Sequence, residues 1–157
     1  MRSVIFDIGG VIFNNGTNKF IKDLAINNHL DESLVREVID GELGGSYREG
    51  KITGKEFGKK VMEILDLKGD YINYEKQWID CYTMIEGTWD IVKKLQDNGY
   101  DTYYLSNNVK ERVQGLDLKF GFLKLFKAGV FAHELGFKKP HPKAFEIMIQ
   151  RLDLKVD

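Results

Sequence analysis

The sequence predicts an α/β fold in which helices cover both faces of a parallel sheet, and three observations lead to it. The chain opens with Val4-Ile5-Phe6, a short apolar run typical of a strand buried on both faces of such a sheet. Two further strand-like runs, at residues 100–105 and 128–131, alternate with helical patterns. Each strand is followed, directly or after a loop, by polar residues of the kind that bind ligands beyond the carboxyl ends of strands in open α/β sheets.

Composition and charge narrow the class of protein. The chain has 157 residues, 43% of them hydrophobic, which is enough for one core and a small accessory domain. Its net charge of -1 gives no electrostatic reason to expect nucleic acid or a membrane surface as a partner. The single cysteine, Cys81, cannot form an internal disulfide, and no apolar run approaches the roughly 20 residues of a membrane span. With no signal-peptide pattern at its start, the chain is expected to be cytoplasmic.

A block of helical patterns separates the first strand from the rest of the sheet. Thr17 is a candidate cap for its first helix, and Asp31 is a candidate cap for its second. Thr53 and Glu56 fit a capping box, and apolar residues from Trp78 to Ile85 recur at helical spacing. We therefore predict a helical cap at residues 15–85, inserted into an α/β core formed by residues 1–14 and 86–157.

The second half of the chain returns to alternating strands and helices. A helix is predicted from about Trp89 to Asp97, followed by the strand at residues 100–105 and a further helix. The strand at residues 128–131 leads into a loop, residues 136–142, that contains both prolines of the chain. A last helix follows with an apolar face. This order predicts a doubly wound core.

Three side chains of different chemistry should meet at one edge of this sheet. Right-handed crossovers place the carboxyl ends of parallel strands together, which brings Asp7, Ser106 and the pair Lys138-Lys139 close to one another. A carboxylate can attack phosphorus, while a hydroxyl and an ammonium can hold the oxygens on which charge builds. Gly9 and Gly10 allow close approach of the backbone to an anion. A divalent cation would be needed to bring a phosphate dianion up to an aspartate.

The segments that carry these residues resemble the first three motifs of the haloacid dehalogenase-like hydrolases, in order. Phe6-Asp7-Ile8-Gly9-Gly10-Val11 is similar to the first motif and Leu105-Ser106-Asn107-Asn108 to the second. Gly136-Phe137-Lys138-Lys139-Pro140-His141-Pro142 is similar to the third. The stretch Tyr47-Arg48-Glu49-Gly50-Lys51-Ile52-Thr53 resembles a cap segment of the phosphatase-type branch. The resemblance implies a Rossmann-like core with an α-helical cap between the first and second motifs.

The resemblance also implies a role for each matching residue. Asp7 would be the nucleophile, Ser106 would bind the transferring group, and Lys139, directly before proline, would be the catalytic lysine. Gly10 and Asn107 would bind substrate, Asn107 through its backbone. Mg²⁺ would be held by Asp7 and the Gly9 carbonyl. The implied activity is hydrolysis of a small phosphomonoester, with a sugar phosphate as one candidate, through an aspartyl-phosphate intermediate.

Two departures from the family pattern qualify this expectation. The family's usual general acid is an aspartate two residues after the nucleophile, where this chain has Gly9. Its absence predicts a slower phosphatase or another proton carrier. Three polar residues could place a water instead, although structural roles are the more common for such residues: Asn14, Asn15 and His141.

The second departure is the family's fourth motif, a strand that presents metal-binding acids. The chain stops about where that strand should begin, so the core is expected to be truncated, with Asp153 and Asp157 as poor substitutes. Three explanations stay open: a sequence shorter than the natural gene product, a naturally weakened protein, or a partner chain that completes the site. Without a fourth strand, the first strand becomes an apolar sheet edge, which predicts self-association along it.

Two other functions compete with the phosphatase. A metal-independent 2-haloacid dehalogenase of the same fold would also use a lone first aspartate. Such enzymes usually carry an arginine early in the cap, and residues 17–30 contain none. The other alternative is a non-catalytic protein that keeps the fold without the metal site.

Overall fold

The computed structural model describes residues 2–155, which form three strands and nine α-helices. In chain order, these elements are β1 (Ser3–Phe6), α1 (Gly16–Asn27), α2 (Glu32–Asp40), α3 (Glu42–Arg48), α4 (Gly54–Ile64), α5 (Tyr71–Asp80), α6 (Glu86–Asp97), β2 (Asp101–Ser106), α7 (Lys110–Phe120), β3 (Ala128–Phe131), α8 (Ala132–Leu135) and α9 (Pro142–Arg151). A short 3₁₀ helix, Phe122–Leu125, precedes β3. The predicted α/β class is confirmed.

The three strands form a parallel sheet in the order β1-β2-β3. Phe6 of β1 is level with Tyr104 of β2, and Ser106 of β2 is level with Phe131 of β3. All three strands therefore end at the same edge of the sheet. This register brings the residues that follow each strand to one place, as the sequence predicts.

Apolar side chains on the two faces of the sheet belong to two separate clusters. Tyr104 and Phe131 belong to a large cluster that also includes Val92 of α6 and Leu116 of α7. On the other face, alternate strand residues pack against helix α9: Tyr103, Leu105 and Val130 with Ala144 and Met148. Helices therefore cover both faces of the central strand β2, which is the doubly wound arrangement.

β1 is less buried than its apolar sequence predicts. No residue of β1 is fully buried, and Ile5 is 44% exposed. Within residues 2–155, β1 has a strand neighbour on one side alone, so its second edge and the outer face of Ile5 lack cover. The expectation of a strand buried on both faces is wrong for this reason, whereas its position at the sheet edge agrees with the prediction.

Helices α1 to α5 follow β1 and account for the predicted helical block. Thr53 and Glu56 form the predicted capping box, and Asp31 caps α2. The cap of α1 is Asn15 instead of Thr17, because the Asn15 side chain accepts from the Asn18 amide. The large apolar cluster runs without interruption from Ile8 and Phe13 into these helices. The division into a cap and a core stays a prediction.

Two helix boundaries differ from the sequence pattern. α5 ends at Asp80, so Tyr82 and Ile85 lie beyond it, although Tyr82 is still buried. α6 begins at Glu86, three residues before Trp89. In both places the apolar spacing continues across a turn, and periodicity alone does not mark where the backbone hydrogen bonds stop.

None of the helices in residues 2–155 has both the length and the apolar character needed to cross a bilayer.

Candidate active site

Asp7 directly follows β1 and makes two short contacts through the same oxygen. Its Oδ1 accepts a hydrogen bond from the Ile8 amide at 2.7 Å and lies 2.8 Å from Lys139 Nζ. The Asp7 side chain is 44% exposed, whereas that of Lys139 is 19% exposed. The carboxylate is therefore held in place while it remains open to solvent and to a ligand.

Lys139 is positioned by the side chain of Asn107, which follows β2. Asn107 Oδ1 accepts from the Lys139 amide at 2.7 Å, and Asn107 Nδ2 donates to the Lys139 carbonyl at 3.0 Å. This pair of bonds ties the loop after α8 to the end of β2. The motif resemblance anticipates a backbone role for Asn107, and the structure adds this side-chain role.

Ser106 ends β2 and is almost fully buried, with 3% of its surface exposed. It lines an open pocket of about 200 Å³ together with Asp7 and Lys139. The other lining residues are Gly9, Asn15, Thr17, Arg48, Tyr82, Asn107, Asn108 and Arg112. The three predicted catalytic side chains thus lie in one pocket, which is small beside the ~300–1,000 Å³ of typical ligand sites.

The two glycines after Asp7 differ in their relation to this pocket. Gly9 lines it, and a Cβ atom built on Gly9 would have no heavy atom within 4 Å. Gly10 is not among the lining residues; it adopts a positive φ of 77°, and its amide donates to the Phe13 carbonyl at 2.7 Å. Gly10 therefore shapes the turn beneath Asp7, while Gly9 leaves space beside it.

Two arginines of the pocket were not among the predicted site residues. Arg48, at the end of α3, forms an ion pair with Asp40, and Arg112, in α7, forms one with Glu75. The sequence holds a signal for Arg112, because it falls within the apolar stripe of α7. A charge on a buried helix face is usually paired or functional. Arg48 lies in the stretch that resembles a cap segment of the family, but that resemblance gave it no role; it reaches the pocket through the fold of α1 to α5.

Arg112 is a buried and permanently charged group. Its side chain is 4% exposed, and its guanidinium lies 3.3 Å from the ring centroid of Trp78. Burial alone would lower the pKa of Arg112, but the nearby Glu75, Tyr82 and Tyr47 outweigh it and raise that pKa. The guanidinium therefore keeps its positive charge at any pH at which the protein is folded.

Among the described residues, the pocket offers a magnesium ion a single acidic ligand. Asp7 is the sole carboxylate among the residues that line the pocket, and residues 2–155 contain no group of three or more His, Cys, Asp or Glu side chains that could hold a metal ion. Mg²⁺ usually keeps several waters and binds through one or two carboxylates together with substrate phosphate oxygens. Asp7 supplies one such carboxylate.

The remaining candidates from the sequence have structural contacts. Asn14 bonds the Thr83 amide and the Cys81 carbonyl, and His141 caps α9 by accepting from the Lys143 amide. Asn15 caps α1 and also lines the pocket. Asp153 lies in the turn after α9, and Asp157 lies outside the described residues.

Comparison with known proteins agrees with this architecture. A protein of Dictyostelium discoideum is 27% identical over 153 residues, which are 95% of this chain and 66% of that protein. Glyceraldehyde 3-phosphate phosphatase of Methanothermobacter thermautotrophicus is 24% identical over 168 residues, with 99% of this chain and 73% of the enzyme covered. The chain thus spans about two thirds to three quarters of the length of these relatives.

Solved structures show the same fold. A haloacid dehalogenase-like (HAD) family enzyme from Bacteroides thetaiotaomicron superimposes with a TM-score of 0.79 and 20% identity, over 99% of this chain and 80% of that one. The same enzyme was also crystallised with magnesium and inorganic phosphate, and that structure has a TM-score of 0.76. The sequence model of the family, a hydrolase described as haloacid dehalogenase-like hydrolase, matches residues 1–157. The chain therefore belongs to the haloacid dehalogenase-like hydrolases.

Proposed function

We propose that this hydrolase is a phosphatase that cleaves small phosphomonoesters, with sugar phosphates as one candidate class. The observation that carries the proposal is the contact of 2.8 Å between Asp7 Oδ1 and Lys139 Nζ in a pocket that Ser106 also lines. A nucleophile, an ammonium and a hydroxyl around one small space suit a transferring phosphoryl group better than a simple structural ion pair.

The proposed reaction proceeds in two displacements. An Asp7 carboxylate oxygen attacks phosphorus, the bond from phosphorus to the alcohol oxygen breaks, and an aspartyl phosphate forms while the alkoxide takes a proton from water. Water then attacks the phosphorus, which releases inorganic phosphate and restores the carboxylate. Lys139 and Ser106 would hold the phosphoryl oxygens in both steps. When bound at Asp7 and Gly9, Mg²⁺ would supply positive charge between a carboxylate and a phosphate that otherwise repel each other.

The helices between β1 and α6 contribute their own side of the pocket. Asn15, Thr17, Arg48 and Tyr82 lie within residues 15–85, whereas Asp7, Ser106 and Lys139 lie outside that range. This division supports the role of a cap that covers the leaving group. Two comparisons point to the same class of reaction: one relative is named a glyceraldehyde 3-phosphate phosphatase, and one solved neighbour holds magnesium and phosphate.

A 2-haloacid dehalogenase remains the second candidate, and one observation favours it. The pocket has one carboxylate beside two arginines, and an arginine could hold the carboxylate of a haloacid. Against it, the space beside Gly9 is open, whereas such enzymes usually have a bulkier residue there. The third hypothesis is a non-catalytic protein of this fold. Calorimetry tests it, because such a protein, although stably folded, should bind neither magnesium nor phosphate.

Two assays on the purified chain separate these functions. In the first, phosphate release from a panel of small phosphomonoesters is measured with Mg²⁺ and again with a chelator. In the second, chloride release from 2-chloropropionate is measured with the chelator present. The proposal expects phosphate release that the chelator abolishes and no chloride release. Chloride release without metal, with no phosphate release, would replace the phosphatase with the dehalogenase.

A further inference from the structure

We propose that the substrate carries a second oxyanion besides the reacting phosphate, and that Arg48 and Arg112 bind it. The proposal rests on the phosphatase function proposed above and narrows its substrate to phosphomonoesters with a carboxylate or a further phosphate. Such a substrate presents two negative groups to one pocket. Lys139 and Ser106 would take the first group, and the two arginines would take the second.

The charges of the pocket support this division. Three cationic side chains line it, Lys139, Arg48 and Arg112, against the single carboxylate of Asp7. Lys139 is already assigned to Asp7 and the reacting phosphate. The acids that pair with the arginines, Asp40 and Glu75, are not among the lining residues. The pocket surface therefore has more positive charge than the proposed displacement at phosphorus uses.

Arg112 is held as a ligand-binding arginine would be. Its Nη2 donates to both carboxylate oxygens of Glu75 at 3.0 Å, and its plane lies over Trp78. Its Nε atom is buried and has no hydrogen-bond partner among residues 2–155. This atom has almost no accessible surface and does not itself face the pocket, so it shows only that the protein leaves the guanidinium incompletely paired. The Glu75 contact and the Trp78 ring fix the guanidinium before any ligand arrives, which lowers the entropy cost of binding.

Arg48 approaches from the helices between β1 and α6. Its side chain is 20% exposed and pairs with Asp40, which lies on the more open side at 36%. A guanidinium presents up to five N–H donors in a fork that matches carboxylate and phosphate oxygens. One arginine from α3 and one from α7 would thus hold a second oxyanion between the predicted cap and the core. The pocket volume of about 200 Å³ limits the distance between the two anions to that within a small molecule.

Calorimetry on the Asp7→Asn protein measures how much the second anion adds to binding, without hydrolysis of the ligand. The probes are glycerol 3-phosphate and glycerate 3-phosphate, which differ in a carboxylate, together with propyl phosphate and a propanediol bisphosphate, which differ in a phosphate. In at least one of the two pairs, we expect the compound with the second anion to bind about tenfold or more tightly than the compound without it. The two pairs show which oxyanion is preferred. Equal binding within both pairs would overturn the proposal.

Arg48→Gln and Arg36→Gln form a matched pair of variants. Both remove an arginine that pairs with Asp40, but Arg36 does not line the pocket. In the Asp7→Asn background, Arg48→Gln should remove most of the tenfold preference. Arg36→Gln should leave the preference intact. Arg112→Lys keeps the buried charge, and should also reduce the preference because an ammonium lacks the fork geometry.

Circular dichroism establishes that each variant is folded before binding is compared. A preference that survives both Arg48→Gln and Arg112→Lys would overturn the assignment.

The outcome is separable from that of the phosphatase proposal. If the unmutated chain hydrolyses members of each pair equally well, the phosphatase stands and the second-anion site falls. If it hydrolyses none while the binding preference persists, the phosphatase falls and the site stands.

Discussion

Lys139 Nζ lies 2.8 Å from Asp7 Oδ1, so the loop after α8 reaches the residue that directly follows the first strand. Asn107, directly after the second strand, accepts from the Lys139 amide and donates to the Lys139 carbonyl, which fixes the backbone on both sides of the Lys139 Cα. One short contact thus depends on all three strands being in register. The proposed chemistry depends on the same geometry.

Replacing Lys139 with methionine should lower phosphate release by about 10²-fold or more. The ammonium would be lost both as a partner of Asp7 and as a donor to the phosphoryl oxygens, and removal of one such donor typically costs 10²–10³ in rate. Lys138→Met is the matched control, because Lys138 is adjacent in the loop and does not line the pocket. Steady-state kinetics of the two variants test this, and equal activities would contradict the role of Lys139.

Replacing Gly9 with aspartate should accelerate the proposed reaction. A Cβ atom on Gly9 would have no heavy atom within 4 Å, so the position two residues after Asp7 has room for the start of a side chain. A positioned acid typically contributes about 10²–10⁴-fold, and we expect a gain of about 10²-fold in phosphate release.

The control for this gain is Gly87→Asp, which adds the same charge at another open glycine outside the pocket. If the folded Gly9→Asp variant releases phosphate at an unchanged rate, the missing acid does not limit the rate of the reaction.

Glu56 should make the protein less stable in acid through its place in the capping box. Hydrogen bonds from the Thr53 amide and hydroxyl lower the pKa of Glu56 in the folded protein. A lowered folded pKa means that the stabilisation is complete above the unfolded pKa of about 4.3 and is lost as pH falls through the folded pKa. Glu56→Gln keeps an acceptor for the cap but removes the charge.

Urea unfolding measured from about pH 6 to pH 3 tests this linkage. The loss of unfolding free energy in acid should be smaller for Glu56→Gln than for the unmutated chain. Glu63→Gln, an exposed carboxylate on the same helix, serves as the control. Identical pH dependence in all three proteins would contradict the electrostatic role of the cap.

We propose that the chain self-associates along β1. This strand has one strand neighbour within residues 2–155, and its Ile5 is 44% exposed, so apolar surface and backbone groups are available at the same edge. Sedimentation equilibrium should show a mass that rises with concentration, and Ile5→Lys should return it to the monomer value. Ile26→Lys removes an even more exposed isoleucine from α1 and should have no effect. A concentration-independent monomer mass for the unmutated chain would contradict the proposal.

Local patterns in the sequence were enough to predict the strands and the polar residues that follow them. Val4-Ile5-Phe6, the Thr53 capping box and the residues at Asp7, Ser106 and Lys139 each carry a short-range signal, and parallel strands then bring the three site residues together. The position of Lys139 directly before Pro140, as in the family's third motif, predicted which of two adjacent lysines faces Asp7.

Features that depend on distant neighbours could not be predicted in this way. The exposure of Ile5 follows from the missing neighbour beside β1, although its residue type favours burial. Arg48 is brought to the pocket by the packing of the helices between β1 and α6, which the local pattern around Arg48 does not predict. The side-chain role of Asn107 likewise depends on a loop that arrives much later in the chain.

The role of Asp7 as the nucleophile is tested most directly by the rate of Mg²⁺-dependent phosphate release by Asp7→Asn compared with Asp101→Asn. Both changes remove the charge of an aspartate that lies 2.8 Å from a lysine ammonium. Asp7 lies at the carboxyl end of β1 and pairs with Lys139. Asp101 lies at the opposite edge of the sheet, at the start of β2, and pairs with Lys127. We expect Asp7→Asn to abolish phosphate release and Asp101→Asn to leave it near the level of the unmutated chain. Phosphate release that persists in Asp7→Asn would contradict the role of Asp7 as the nucleophile.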